Sequence, residues 1–123
     1  MADFKYYNNN PEHLTTEDCV TRAITLASGL KYKTISRLLK LTAKLKNCDC
    51  LTMFCYRYLL EYILCYPVRY AHKDETVESV IAKYPHNTLL IRIDGHLLCS
   101  VAGVIYDLFD SSKEPVTCYW IAK

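Results

Sequence analysis

Ile93-Asp94-Gly95-His96-Leu97-Leu98-Cys99-Ser100-Val101-Ala102-Gly103-Val104-Ile105-Tyr106-Asp107-Leu108-Phe109 is the stretch on which the fold turns. Two runs rich in apolar residues, Gly95 to Val101 and Val104 to Phe109, flank Ala102-Gly103, and this spacing predicts a β-hairpin closed by a tight two-residue turn. Such a turn makes His96 oppose Phe109 and Leu98 oppose Asp107. Opposed residues point the same way and the side-chain period is two, so residues 96, 98, 107 and 109 share one face. Asp107 is then a diagonal neighbour of His96, while Asp110 falls on the other face. A one-residue change in the turn would exchange the two carboxylates.

Working outward, Thr88 to Ile93 and Val116 to Ile121 read as further strands, and Val68-Arg69-Tyr70 as a short one. The first half of the chain carries helical spacing instead. Val20, Ala23, Ile24, Ala27 and Leu30 form one apolar stripe, with Thr15 or Thr16 as cap, Glu17 and Asp18 in the first turn and Gly29 as the stop. A second helix is predicted from Tyr32 to Leu45, with Ile35, Leu38, Leu39, Thr42 and Leu45 along one face and Lys33, Arg37, Lys40 and Lys44 along another. A third covers Met53 to Ile63. A fourth runs from Val77 to Tyr84, started by Asp74 or Thr76 and stopped by Pro85. Residues 1–14, centred on Asn8-Asn9-Asn10-Pro11, read as an N-terminal arm without regular structure. Helices first and antiparallel strands later define an α+β class.

A length of 123 residues fits one domain, 1–123, and 51% apolar residues suffice for a packed core. The net charge of +2 does not point to a nucleic-acid partner. The Lys33 to Lys46 face is accordingly read as the solvated side of an amphipathic helix. No run is apolar and long enough for a membrane span, and the start has no signal-peptide character, so a cytoplasmic location is expected. Seven cysteines, an odd number, argue against a closed disulfide framework. Cys48, Cys50, Cys55 and Cys65 lack the spacing of a zinc site; Cys55 and Cys65 have apolar neighbours that suggest core. No metal and no cofactor is expected.

The chemistry centres on Cys19, in the first turn of the first helix. Free amide groups and the positive dipole end at a helix start favour a thiolate, the form in which cysteine is a nucleophile. Free cysteine is also often a plain core residue, and Cys19 shares a helical face with Ala23 and Leu26. Arg22, one turn on, is placed to pair with Asp18 or with a strand carboxylate.

The order Asn10-Pro11, Asp18-Cys19-Val20-Thr21-Arg22-Ala23, Gly95-His96, Tyr106-Asp107-Leu108-Phe109-Asp110-Ser111 and Tyr119-Trp120 resembles a family of small phage and mobile-element proteins. These are similar to the papain-like and C39-like cysteine peptidases. The resemblance spans nearly the whole chain but leaves Asn47 to Tyr70 without a signature. It implies a papain-like fold and a triad of Cys19 as nucleophile, His96 as general base and acid, and Asp107 as the group that orients the ring. The glutamine that papain-like enzymes carry before the cysteine falls on His13 here, which leaves Asn10 with the Cys19 amide as oxyanion donors. Two positions depart from the family: Glu17 stands where glycine is common, and Phe109 where tryptophan is common. The expected function is cysteine-dependent hydrolysis of a peptide, isopeptide or related acyl bond, with a protein or peptide substrate. The alternative is a catalytically inactive phage-encoded binding protein that inhibits a host factor such as a defence-system component.

Overall fold

The hairpin register organises the whole molecule. The computed structural model describes residues 3–13 and 18–123. It contains β1 (Asp3–Tyr6), α1 (Cys19–Ser28), α2 (Tyr32–Lys46), α3 (Met53–Tyr58), β2 (Val68–Tyr70), α4 (Val77–Lys83), β3 (Thr88–Ile93), β4 (His96–Val101), β5 (Val104–Asp107) and β6 (Cys118–Ile121). A π-helical turn, Leu59–Ile63, extends α3. The class is α+β, with one mixed sheet of six strands in the order β1-β5-β4-β3-β6-β2. Its pairs are antiparallel except β1 with β5.

Alternation of side chains across the pleat builds two apolar layers. Leu90, Leu97, Cys99, Cys118 and Trp120 face α1, α2 and α3. Leu89, Ile91, Ile93, Leu98, Ile105 and Tyr119 face α4. Each central strand therefore buries both sides, which is why β3 reads as nearly continuous apolar sequence broken only by Arg92. The β4–β5 turn is at Ala102-Gly103, both with positive φ (48° and 86°), as a primed hairpin turn requires. Cys99 pairs with Tyr106 and Val101 with Val104, the register expected from the turn.

Several local expectations are revised. The N-terminal arm is partly a strand: β1 adds to the edge of β5, with Asp3 opposite Val104 and Tyr6 opposite Asp107. All four of its residues are exposed, so hydrogen bonds to β5 rather than a buried stripe hold it, and no hydrophobic pattern announces it. Helix α1 starts at Cys19, which places Asp18 at the cap position and not in the first turn. The capping expectation for Thr15 or Thr16, and Glu17 with it, lies outside the described residues. Gly29 (φ 74°) ends α1 as expected, leaving Leu30 outside the helix and exposed. In α2, Ile35, Leu39 and Thr42 are buried as the stripe predicts, but Leu45 in the last turn has passed the edge of the core and is exposed.

The third helix does not remain α-helical to Ile63. The Leu64 amide bonds the Leu59 carbonyl at 2.8 Å, an i to i+5 closure that widens the turn. The widening buries the consecutive Leu59 and Leu60 and brings the Glu61 carboxylate within 3.0 Å of the Trp120 indole nitrogen. Helix α4 is started by Thr76, whose hydroxyl accepts from the Ser79 amide in a reciprocal capping box. Strand β6 begins at Cys118 rather than Val116, because the backbone of residues 116 and 117 bonds Glu75 and Arg92 outside the ladder. Cys65 is exposed, with φ 59°, and is not a core residue; Cys55 is buried. No helix among the described residues is long and apolar enough to cross a membrane.

Candidate active site

β5 ends at Asp107, two residues short of the expected Phe109, and the ladder to β4 stops at Cys99–Tyr106. The two strands part at that end, and the start of α1 lies against β4 where the partner strand has left. In a two-residue hairpin the closing pair, here Ile93 and His96, bonds to itself, so the next amide, Leu97, points away from β3. That amide and the His96 ring both act on the Cys19 thiol as hydrogen-bond partners that lower its pKa. Cys19 is half-buried at this junction.

His96 projects from the first residue of β4, and its Nε2 lies 2.6 Å from Asp107 Oδ2. The ring nitrogen left for the sulfur is therefore Nδ1. With Nε2–H donated to the carboxylate, the neutral ring presents an Nδ1 lone pair to the thiol, the tautomer a general base needs. Asp107 is 2% exposed, and its Oδ1 accepts from the Leu108 amide at 2.7 Å and from Arg22 Nη1 at 3.4 Å. Phe109 packs its ring 4.9 Å from His96 and remains half exposed.

Arg22 ties this group to the helix start. Its Nε donates to Asp18 Oδ1 at 2.7 Å, so it pairs with both the local and the strand carboxylate. Asp18 Oδ2 accepts from the Tyr32 hydroxyl at 2.7 Å and from Asn10 Nδ2 at 2.8 Å. Asn10 Nδ2 also lies 3.4 Å from the Tyr32 oxygen, and Asn10 Oδ1 accepts from the Glu12 amide at 2.9 Å. The expectation that Asn10 donates to an oxyanion is thereby corrected. Its amide is committed to Asp18, and Asn10 does not line the cleft in front of Cys19. An unbroken hydrogen-bonded line runs instead from Asn10 and Tyr32 through Asp18, Arg22 and Asp107 to His96.

The electrostatics follow from these contacts. Burial alone would raise the Cys19 pKa. The hydrogen bonds from His96 and the Leu97 amide, with the charges of His96 and Arg22, outweigh burial and hold it below the ordinary thiol value. Burial alone would lower the His96 pKa, but bonding to Asp107 and Cys19 raises it from 6.5 to about 9. Both shifts run in the direction that favours proton transfer from Cys19 to His96, and they belong to the two groups jointly. Burial would likewise raise Asp18, yet the bonds from Asn10, Arg22 and Tyr32 hold it below the usual carboxylate range. Burial and the hydrogen bond to Asp18 push Tyr32 up to about 12.

The His96 shift makes stability pH-dependent. A group whose pKa is raised on folding contributes stability fully present below its unfolded value and lost as pH rises through the folded one. In a Cys19→Ala background, which removes the thiolate, the stability difference between His96 and His96→Gln should be largest below pH 6.5. It should shrink as the pH climbs through the folded value, which lies below about 9 in this background because the Cys19 contribution is gone. Urea unfolding at several pH values measures it; a difference that stays constant across this window would contradict the His96–Asp107 coupling.

The Sγ opens into a cleft of about 670 Å³. Gly95, His96, Leu108, Phe109, Leu51 and Met53 line it together with Arg92 and Cys19. Arg92, Tyr32 and the Leu97 amide were not singled out in the sequence. Arg92 had a signal, a lone cation inside an otherwise apolar strand. Among the described residues no cluster of His, Cys, Asp or Glu could hold a metal ion. All seven cysteines are free.

Comparison with family models, curated proteins and solved structures finds no match to this chain. The chemistry of the site has to be read from its own atoms.

Proposed function

We propose that this chain is a cysteine-dependent hydrolase of papain-like fold, cleaving a peptide, isopeptide or related acyl bond. The observation that carries the reading is the short His96–Asp107 contact of 2.6 Å, with the ring's remaining nitrogen turned to a thiol at a helix start. The Cys19 thiolate attacks the acyl carbon, and the carbonyl electrons move to oxygen. The Cys19 amide, first of α1, supports that oxyanion. The imidazolium of His96 gives its proton to the leaving amine as the C–N bond breaks. Water, deprotonated by the now neutral His96, then attacks the thioester, and Cys19 leaves with its electron pair. Asp107 is a positioning residue that holds the ring in its productive tautomer. Seven unpaired cysteines fit a reducing cytoplasm, and a phage or mobile-element origin fits the sequence resemblance.

The rate of Cys19 alkylation by iodoacetamide against pH tests this reading, with the modified site identified by peptide mass. Cys19 should titrate well below the ordinary thiol value of about 8.5. At pH 6 it should react on the order of 10²-fold faster than in His96→Ala, because an ordinary thiol is then less than about 1% thiolate. A Cys19 with an ordinary titration, unaffected by His96→Ala, would sink the enzyme reading and leave the binding-protein alternative.

A further inference from the structure

Arg92 differs from the other cations packed into this half of the molecule. Arg22 is satisfied by Asp18 and Asp107, and Arg57 by Glu61. Arg92 lies between Leu97 and Cys118 across the sheet, on the face that carries α1 and α3. Its Nη1 donates to the Tyr56 hydroxyl at 2.7 Å, and Tyr56 is fully buried. Among the described residues no carboxylate lies within ion-pair distance of it. Holding a half-buried cation beside apolar neighbours without a counter-ion costs free energy, so its retention needs a reason outside the folding of the chain.

The site supplies one. Arg92 lines the same 670 Å³ cleft as Cys19 and His96. Among the described residues one of its five N–H donors has a hydrogen-bond partner, the Tyr56 hydroxyl, which anchors the guanidinium. A planar fork of N–H groups matches the two oxygens of a carboxylate. A single uncompensated cation beside a neutral hydroxyl suits one negative charge better than the two of a phosphate monoester.

We propose that Arg92 is a specificity-determining residue that binds a carboxylate of the substrate near the scissile acyl bond. The preferred substrates are then acidic peptides, through either a Glu or Asp side chain or a free C-terminal carboxylate. The assignment rests on the thiol-hydrolase reading for the identity of the reacting bond, but its readout is separate.

Iodoacetate and iodoacetamide alkylate the same Sγ by the same displacement: the S–C bond forms and iodide leaves. They differ in carrying a carboxylate or a neutral amide. The ratio of the two rates at Cys19, taken within each protein, cancels any change in the thiolate population. That ratio should fall about tenfold from the wild type to Arg92→Gln, with Arg92→Lys between them, since an ammonium keeps the charge but not the fork. N-iodoacetylglycine carries only a terminal carboxylate and N-iodoacetyl-glutamate α-amide only a side-chain one. The reagent whose rate, relative to iodoacetamide, depends more on Arg92 identifies the source. Ratios that agree within about twofold in wild type, Arg92→Gln and Arg92→Lys, for all three anionic reagents, would overturn the assignment. Failure of the hydrolase reading shows separately, as an ordinary pH profile with iodoacetamide, because even an unactivated thiol can be alkylated at alkaline pH and the ratio measured.

Discussion

Arg22→Ala is expected to lower the free energy of unfolding by about 3–5 kcal/mol, the range found when one partner of a buried ion pair is removed. The Arg22 side chain is 8% exposed, and those of Asp18 and Asp107 are 10% and 3% exposed. Without the guanidinium, two carboxylates stay in a poorly solvated junction, and Asp18 keeps its bonds from Asn10 and Tyr32. Much of the loss is the cost of leaving those charges uncompensated rather than the value of the contacts. Adding Asp18→Asn to Arg22→Ala should therefore recover part of the stability. Urea unfolding of the single and double variants decides it. A loss under about 1 kcal/mol for Arg22→Ala would mean that water takes over the network and that α1 is docked by its apolar face alone.

Asp107→Ala is expected to slow Cys19 alkylation at pH 6 about tenfold, less than His96→Ala does, while leaving Cys19 and His96 in place. Bonding to Asp107 is the first of the contacts that lift His96 towards about 9 against the effect of burial. Without it the ring falls back towards 6.5, its orientation and tautomer are no longer held at Nε2, and an imidazolium partner for the thiolate survives only at lower pH. Asp107→Asn separates two contributions. An amide oxygen still accepts from Nε2–H, so orientation is restored without the charge, and the rate should lie between those of the aspartate and the alanine. The readout is the pH profile of alkylation, which a purely structural role for Asp107 would scale without displacing. Equal profiles for all three proteins would remove Asp107 from the site.

The choice of Asp107 over Asp110 was legible because it rests on counting. A two-residue turn at Ala102-Gly103 pairs Val101 with Val104, and every residue along the two strands follows from it. Asp107 then falls on the His96 side, while Asp110 accepts the Ser112 amide in its own loop. Helix α1 was equally legible, from apolar spacing and Gly29. Local rules reach that far, because a turn or an amphipathic stripe is written in consecutive residues.

Other features depend on which segments meet. β1 exists because β5 offers it an edge. Asn10 has the chemistry of an oxyanion donor, yet the fold delivers it to Asp18. Arg92 reads as one cation in an apolar strand until the sheet places it in the Cys19 cleft. By itself the sequence determined the α+β class, the hairpin register and the placing of Asp107 beside His96, since periodicity and turn chemistry act over a few residues; Cys19 joined them as a candidate through the family resemblance. The tertiary structure decided that β4 and β5 part to admit the start of α1, that Arg22 and Asp18 lock that helix in place, and that Arg92 lines the cleft. Those outcomes depend on burial and pairing between segments far apart in the chain, which no local pattern records.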